Sequence, residues 1–154
     1  MIQGGPGPDG ALDTSFLGSG LDDAVSSPAT PGALEVIPRL VALFERRVWI
    51  ISKCAENTQR KTLAWLDHND FYTRTGIPHG NVRFCRERTE KVVQCRQLGI
   101  THMVDDRLDV HRALRGVVPH LYLFGPQDSE IPDWVIHTPD WPSVSAHLTS
   151  ATTG

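Results

Sequence analysis

LGITHMVDDRLD, residues 98–109, joins a short apolar run, Ile100 to Val104 interrupted by Thr101 and His102, to two adjacent carboxylates, Asp105 and Asp106. The pattern is that of a buried strand delivering acid to its tip. Strands of a parallel α/β sheet are apolar along most of their length, and ligands bind beyond their carboxyl ends, so an acidic pair there faces a crevice rather than the core. Two neighbouring carboxylates repel, and they stay ionised together at neutral pH only beside a cation. A hard cation that prefers oxygen ligands suits them, and magnesium is the natural candidate. The alternative is that Asp105-Asp106-Arg107 opens the next helix, with one carboxylate as N-cap and the other favouring the helix dipole.

Working outward, Glu87 to Leu98 has helical spacing with Val92, Cys95 and Leu98 inward, and Gly99 stops it. Val82-Arg83-Phe84-Cys85 alternates like a strand, and FYTRTGIPHGN, residues 71–81, reads as a loop. Residues 56–68 predict a helix with Thr58, Thr62, Trp65 and Leu66 beneath a polar face. Val48-Trp49-Ile50-Ile51 is a second apolar strand, ending in Ser52-Lys53-Cys54. Before it, Ala33, Leu34, Ile37, Leu40, Val41 and Phe44 recur at helical spacing behind a Thr30 cap, and Pro38 should kink or divide that helix.

Residues 1–30 are rich in Gly, Pro, Ser and Asp and read as a flexible segment or small lid. Beyond Asp109, residues 108–115 form a short helix and His120 to Phe124 a strand ended by Gly125-Pro126. The tail, residues 126–154, reads as irregular chain with one short helix near 141–148.

Alternating strands and helices are the signature of βαβ units, hence an α/β fold with a doubly wound parallel, Rossmann-like sheet and helices on both faces. The 154 residues, 40% hydrophobic and 21% charged, suffice for a buried core, here assigned to residues 31–125. A net charge of −3 argues against a chain whose main partner is nucleic acid or an anionic membrane. No apolar stretch approaches the roughly 20 residues that cross a bilayer. Three cysteines, Cys54, Cys85 and Cys95, match no zinc spacing and suit a reduced, cytoplasmic setting.

Three tips then line up in order. Ser52 and Lys53 follow an apolar strand, where a hydroxyl and backbone amides can hold a phosphoryl oxygen, although Ser52 also suits a plain N-cap. Lys91 lies near the start of the helix leading to the acidic strand, where an ammonium can neutralise charge on a transferring group or simply be solvated. Asp105 and Asp106 close the series. In this order, VWIIS ending at Ser52, RTEK ending at Lys91 and ITHMVDD ending at Asp105 and Asp106 resemble the second, third and fourth motifs of the haloacid-dehalogenase-like phosphohydrolases. The resemblance spans residues 31–125. It implies a magnesium-dependent phosphatase acting on a phosphate monoester, with Ser52 (and Lys53 beside it) on the phosphoryl group and Lys91 holding nucleophile and phosphate together. Asp105 and Asp106 would be the Mg2+ ligands, and Asp109 would act through a water.

The first motif of that family, an apolar strand running into Asp-x-Asp, is not found. Leu21-Asp22-Asp23-Ala24-Val25 lacks a preceding strand, and Asp9 and Asp13 are no better placed. The expectation is therefore a sheet whose central first strand is missing. Either Met1 is internal to a longer product, or the chain is a degenerate member or a non-catalytic phosphate- or partner-binding domain that keeps the fold. No large cap is visible, so the crevice admits small or bulky phosphoesters, and a homo-oligomer stays open.

Overall fold

The computed structural model describes residues 1–2 and 20–152 of the chain; Asp9 and Asp13 lie outside them. The architecture is mixed α/β with parallel strands. The described residues fall into two compact units, one from Met1–Ile50 and Cys54–Arg83, the other from Ile51–Lys53 and Phe84–Gly154.

The first unit is helical: α1 (Leu21–Val25), α2 (Ala33–Leu43), α3 (Glu56–His68), α4 (Phe71–Thr75) and a 3-10 turn at His79–Asn81. Residues 21–25 are thus not loop, because Ala24 is fully buried and α1 packs on α3. Asp22 and Asp23 stand exposed in its first turn. Pro38 does not divide α2. Its ring removes one backbone bond and carries a local penalty of about 3 kcal/mol, but Ala33, Val36, Ile37, Leu40 and Val41 are all buried on one face. At about 1.5–3 kcal/mol for each larger apolar side chain, that burial outweighs the defect. The N-cap is Gly32, at φ 88°, not Thr30, whose carbonyl instead accepts the Ala33 N–H at 2.9 Å.

In α3, Thr62, Trp65 and Leu66 are buried as the periodicity predicts, whereas Thr58 is exposed. The Trp65 indole N–H donates to the Ser27 carbonyl at 2.7 Å. The stretch read as a loop after α3 contains α4, because Phe71 is fully buried against Trp65, with ring centroids 6.4 Å apart.

Strands β1 (Ile50–Lys53) and β2 (Val82–Cys85) pair as a two-stranded sheet, and Ile51–Lys53 with Phe84 and Cys85 belong to the second unit. The remaining elements of that unit are α5 (Arg88–Leu98), β3 (His102–Asp105), α6 (Leu108–Leu114), β4 (His120–Phe124), β5 (Ile136–Thr138) and α7 (Trp141–Thr152). β3, β4 and β5 form a parallel sheet in that order, with Met103 opposite Leu121 and Leu123 opposite His137. Pleating sends alternate residues of β4 to opposite faces. Leu121 and Leu123 join Cys95, Met103, Val110 and Leu114 in one apolar cluster, while Tyr122 and Phe124 meet His147 and Trp141 of α7.

The tail holds the helix expected near 141–148, here running over Trp141–Thr152, and a short strand besides. β5 escapes sequence reading because three residues are too few to show a period. α7 does carry a signal: Asp140 Oδ1 accepts the Ser143 N–H at 2.9 Å, the N-cap arrangement announced by Asp140-Trp141-Pro142-Ser143. Leu114 is fully buried in the cluster of the second unit. Leu114→Ala is expected to lower stability by about 2–5 kcal/mol in urea unfolding, through lost transfer energy and the cavity left behind.

Candidate functional site

The candidate site lies at the carboxyl end of β3. Burial alone does not explain a lysine in the core, yet Lys91, the fourth residue of α5, is only 7% exposed. Its Nζ donates to Asp105 Oδ2 at 2.7 Å, and the two side chains are 8% and 11% exposed. The other oxygen of Asp105, Oδ1, accepts the Arg107 backbone N–H at 2.9 Å. Asp105 thus meets two donors through its side chain. It does not cap α6, whose N-cap is Arg107.

α5 is placed by its own start. Glu90 Oε2 accepts the backbone N–H groups of Arg86 at 2.7 Å and Glu87 at 2.9 Å, and these bonds hold its carboxyl below the usual range. Satisfying these donors fixes the first turn, one residue before Lys91.

Asp106 behaves differently from its neighbour. Asp106 is an exposed residue, but loss of water around its carboxyl and the negative charge of Asp105 both push that carboxyl above the usual aspartate range. A cation beside it would reverse both effects. The donor chemistry fits a hard cation: the two carboxylates supply oxygens, and magnesium is commonly held by one or two carboxylates with water or phosphate oxygens completing the shell. Among the described residues no group of three or more His, Cys, Asp or Glu is arranged to hold a metal.

Asp109 is held by two arginines. Arg88 Nη2 lies 2.6 Å and Arg107 Nη2 3.2 Å from Oδ2, and Arg107 Nε lies 3.3 Å from Oδ1. Burial would raise the Asp109 carboxyl, but the hydrogen bonds and charge of Arg107 and the charge of Arg88 outweigh it and hold it below the ordinary range.

Ser52 and Lys53 stand two residues further into the strand than predicted. β1 runs over Ile50–Lys53, so Ser52 is within it, Lys53 is its exposed last residue, and Ala55 rather than Ser52 caps α3. Neither side chain is a partner of the Lys91–Asp105 pair. The structure joins Lys91 to Asp105, with Asp106 the next residue in the chain.

Two residues of the site carry no motif. His111, fully buried on α6, places Nε2 3.0 Å from the Asp105 carbonyl oxygen. Gln127 Nε2 donates to the Asp106 carbonyl at 3.2 Å and to the Phe124 carbonyl at 3.0 Å. A histidine three positions from Leu108 and Leu114 looks like core in the sequence, and Gln127 sits in a polar loop.

Comparison with protein-family models, with curated proteins and with solved structures returned no match to this chain.

Two measurements check the electrostatics. Lys91→Met leaves Asp105 as a buried unpaired charge and is expected to cost about 3–5 kcal/mol in urea unfolding at neutral pH. Arg107→Ala, at an exposed pair, should cost less than about 1 kcal/mol. For Asp109 the sign is set by a folded-state value below the ordinary 3.8, so its contribution is present above 3.8 and is lost as the pH falls through the lowered value. The stability gap between the natural chain and Asp109→Asn should narrow over that acidic window and stay constant from there to neutrality.

Proposed function

We propose that this chain carries a magnesium-dependent phosphohydrolase core of the haloacid-dehalogenase-like kind, acting on a phosphate monoester. In this reading Asp105 and Asp106 hold Mg2+, Lys91 positions the reacting groups, and Ser52 with Lys53 receives the phosphoryl group. The observation that carries it is the buried Lys91–Asp105 pair at the carboxyl end of a parallel strand, beside a second carboxylate that is pushed above its ordinary range. Carboxyls with displaced titration beside a specific charge partner cluster at functional sites.

Bound magnesium would supply positive charge to a phosphoryl oxygen. The chain's own residues have separate tasks. Lys91 fixes the Asp105 carboxylate and brings a positive charge to the strand tip, and the Arg107 amide orients the same carboxylate from the other oxygen. The nucleophile is not assigned to any of these residues.

The doubly wound sheet belongs to the same proposal. Two small sheets, β1-β2 and β3-β4-β5, with Leu121 and Leu123 facing one helical layer and Tyr122 and Phe124 the other, support strands covered on both faces.

A second reading, a non-catalytic phosphate- or partner-binding domain, is favoured by one observation: both oxygens of Asp105 are already bonded within the chain. Thermal unfolding with and without Mg2+, and turnover of a generic phosphate monoester, separate the two. Because the Asp106 carboxyl is raised, its ionised form weakens the fold at neutral pH, so Asp106→Asn should melt higher than the natural chain without divalent cation. Mg2+ should raise the melting temperature of the natural chain and not that of Asp106→Asn. Magnesium-dependent turnover lost in Lys91→Ala supports the hydrolase; stabilisation by Mg2+ or inorganic phosphate without turnover supports the binding domain. Identical melting under every condition would remove both.

A further inference from the structure

His111 is fully buried, and its ring meets the acidic pair from the helix that follows it. Nε2 stands 3.0 Å from the Asp105 carbonyl oxygen, and a carbonyl can only accept, so Nε2 carries the proton. In the neutral ring Nδ1 is then a bare acceptor, and it is buried with no hydrogen-bond partner among the described residues. A leucine or phenylalanine would fill this position in the apolar cluster without stranding a nitrogen. What the imidazole supplies, and no apolar side chain can, is the donated proton.

The receiving carbonyl belongs to the peptide that joins Asp105 to Asp106. Holding that oxygen sets the plane of the peptide, and hence the angle between the two carboxylate side chains. Gln127 holds the next carbonyl, that of Asp106, at 3.2 Å. Two successive peptide planes are thus clamped from two different elements, α6 and the loop after β4.

We infer that His111 is a positioning residue for the acidic pair: its Nε2–H fixes the Asp105–Asp106 peptide so that both carboxylates reach one cation. This rests on the reading of Asp105 and Asp106 as Mg2+ ligands. Residues that orient ligands from behind commonly change metal affinity by about 10–100-fold. The variants are chosen by reach. Glutamine places a donor where Nε2 stands, asparagine carries the same amide but stops near Nδ1, and phenylalanine keeps the volume with no donor.

The test uses the full chain and two readouts: Mg2+ affinity by calorimetry, and amide hydrogen exchange at Arg107, whose N–H is bonded to Asp105 Oδ1, against amides of β4 as reference. His111→Phe and His111→Asn are expected to weaken Mg2+ binding at least tenfold and to speed Arg107 exchange selectively, while His111→Gln stays near the natural chain on both. Equal Mg2+ affinity in the natural chain and the Phe and Asn variants overturns the inference and leaves the magnesium reading standing. If the natural chain binds no Mg2+, that reading fails, and the claim that His111 sets the acidic pair for a cation falls with it. The exchange data then decide whether the peptide clamp exists: unchanged Arg107 exchange in the variants overturns that too. Should His111→Phe fail to fold, the Asn and Gln pair, alike in chemistry and different in reach, decides the matter.

Discussion

The contact between Lys91 and Asp105 constrains everything around it. Removing two charges from water is expensive, and their attraction repays this only when the geometry is good and further hydrogen bonds satisfy the remaining positions. Here the carboxylate meets the ammonium on one oxygen and a backbone amide on the other. α5 must therefore start where it does, which its Glu90 bonds to Arg86 and Glu87 secure, and β3 must end where it does.

Against that balanced pair, Asp106 is out of balance. Its carboxyl is pushed up by loss of water around it and by Asp105, while its neighbour Asp109 is held down by Arg107 and Arg88 despite its own burial. Three carboxylates within five residues thus meet three different environments. One is neutralised in the interior, one is neutralised near the surface, and one is pushed toward its neutral form. An ionised group disfavoured in the native state weakens the fold at neutral pH.

The sheet around this tip is built from short pieces. β3, β4 and β5 have four, five and three residues, and their stability comes from what covers them rather than from backbone pairing alone. Cys95, Val110 and Leu114 cover one face of β4, and Trp141 meets Phe124 on the other at 5.2 Å between ring centroids. In the helical unit Trp65 has the corresponding role, fully buried, packed on Phe71 and anchored to the Ser27 carbonyl.

What the sequence determined by itself is local and periodic: the helices over residues 56–68 and 88–98, the strands at 82–85 and 120–124, the stop at Gly99, and an apolar run tipped by Asp105 and Asp106. These follow from spacing within a few residues, where period and cap chemistry act directly. Where packing outweighed a local rule, the sequence misled, as at Pro38, whose helix is held together by its buried face, and at residues 21–25 and 71–75, where Ala24 and Phe71 are buried. Tertiary structure alone decided that Lys91 reaches Asp105 from fourteen positions away, that Asp109 is taken by arginines, that Ser52 lies within its strand, and that His111 turns from core into a donor at the acidic pair. Each of these is a meeting of groups on different elements or at a strand end shifted by packing. Periodicity can say that a residue faces inward, but which polar atom it meets there is set by the register and approach of the elements.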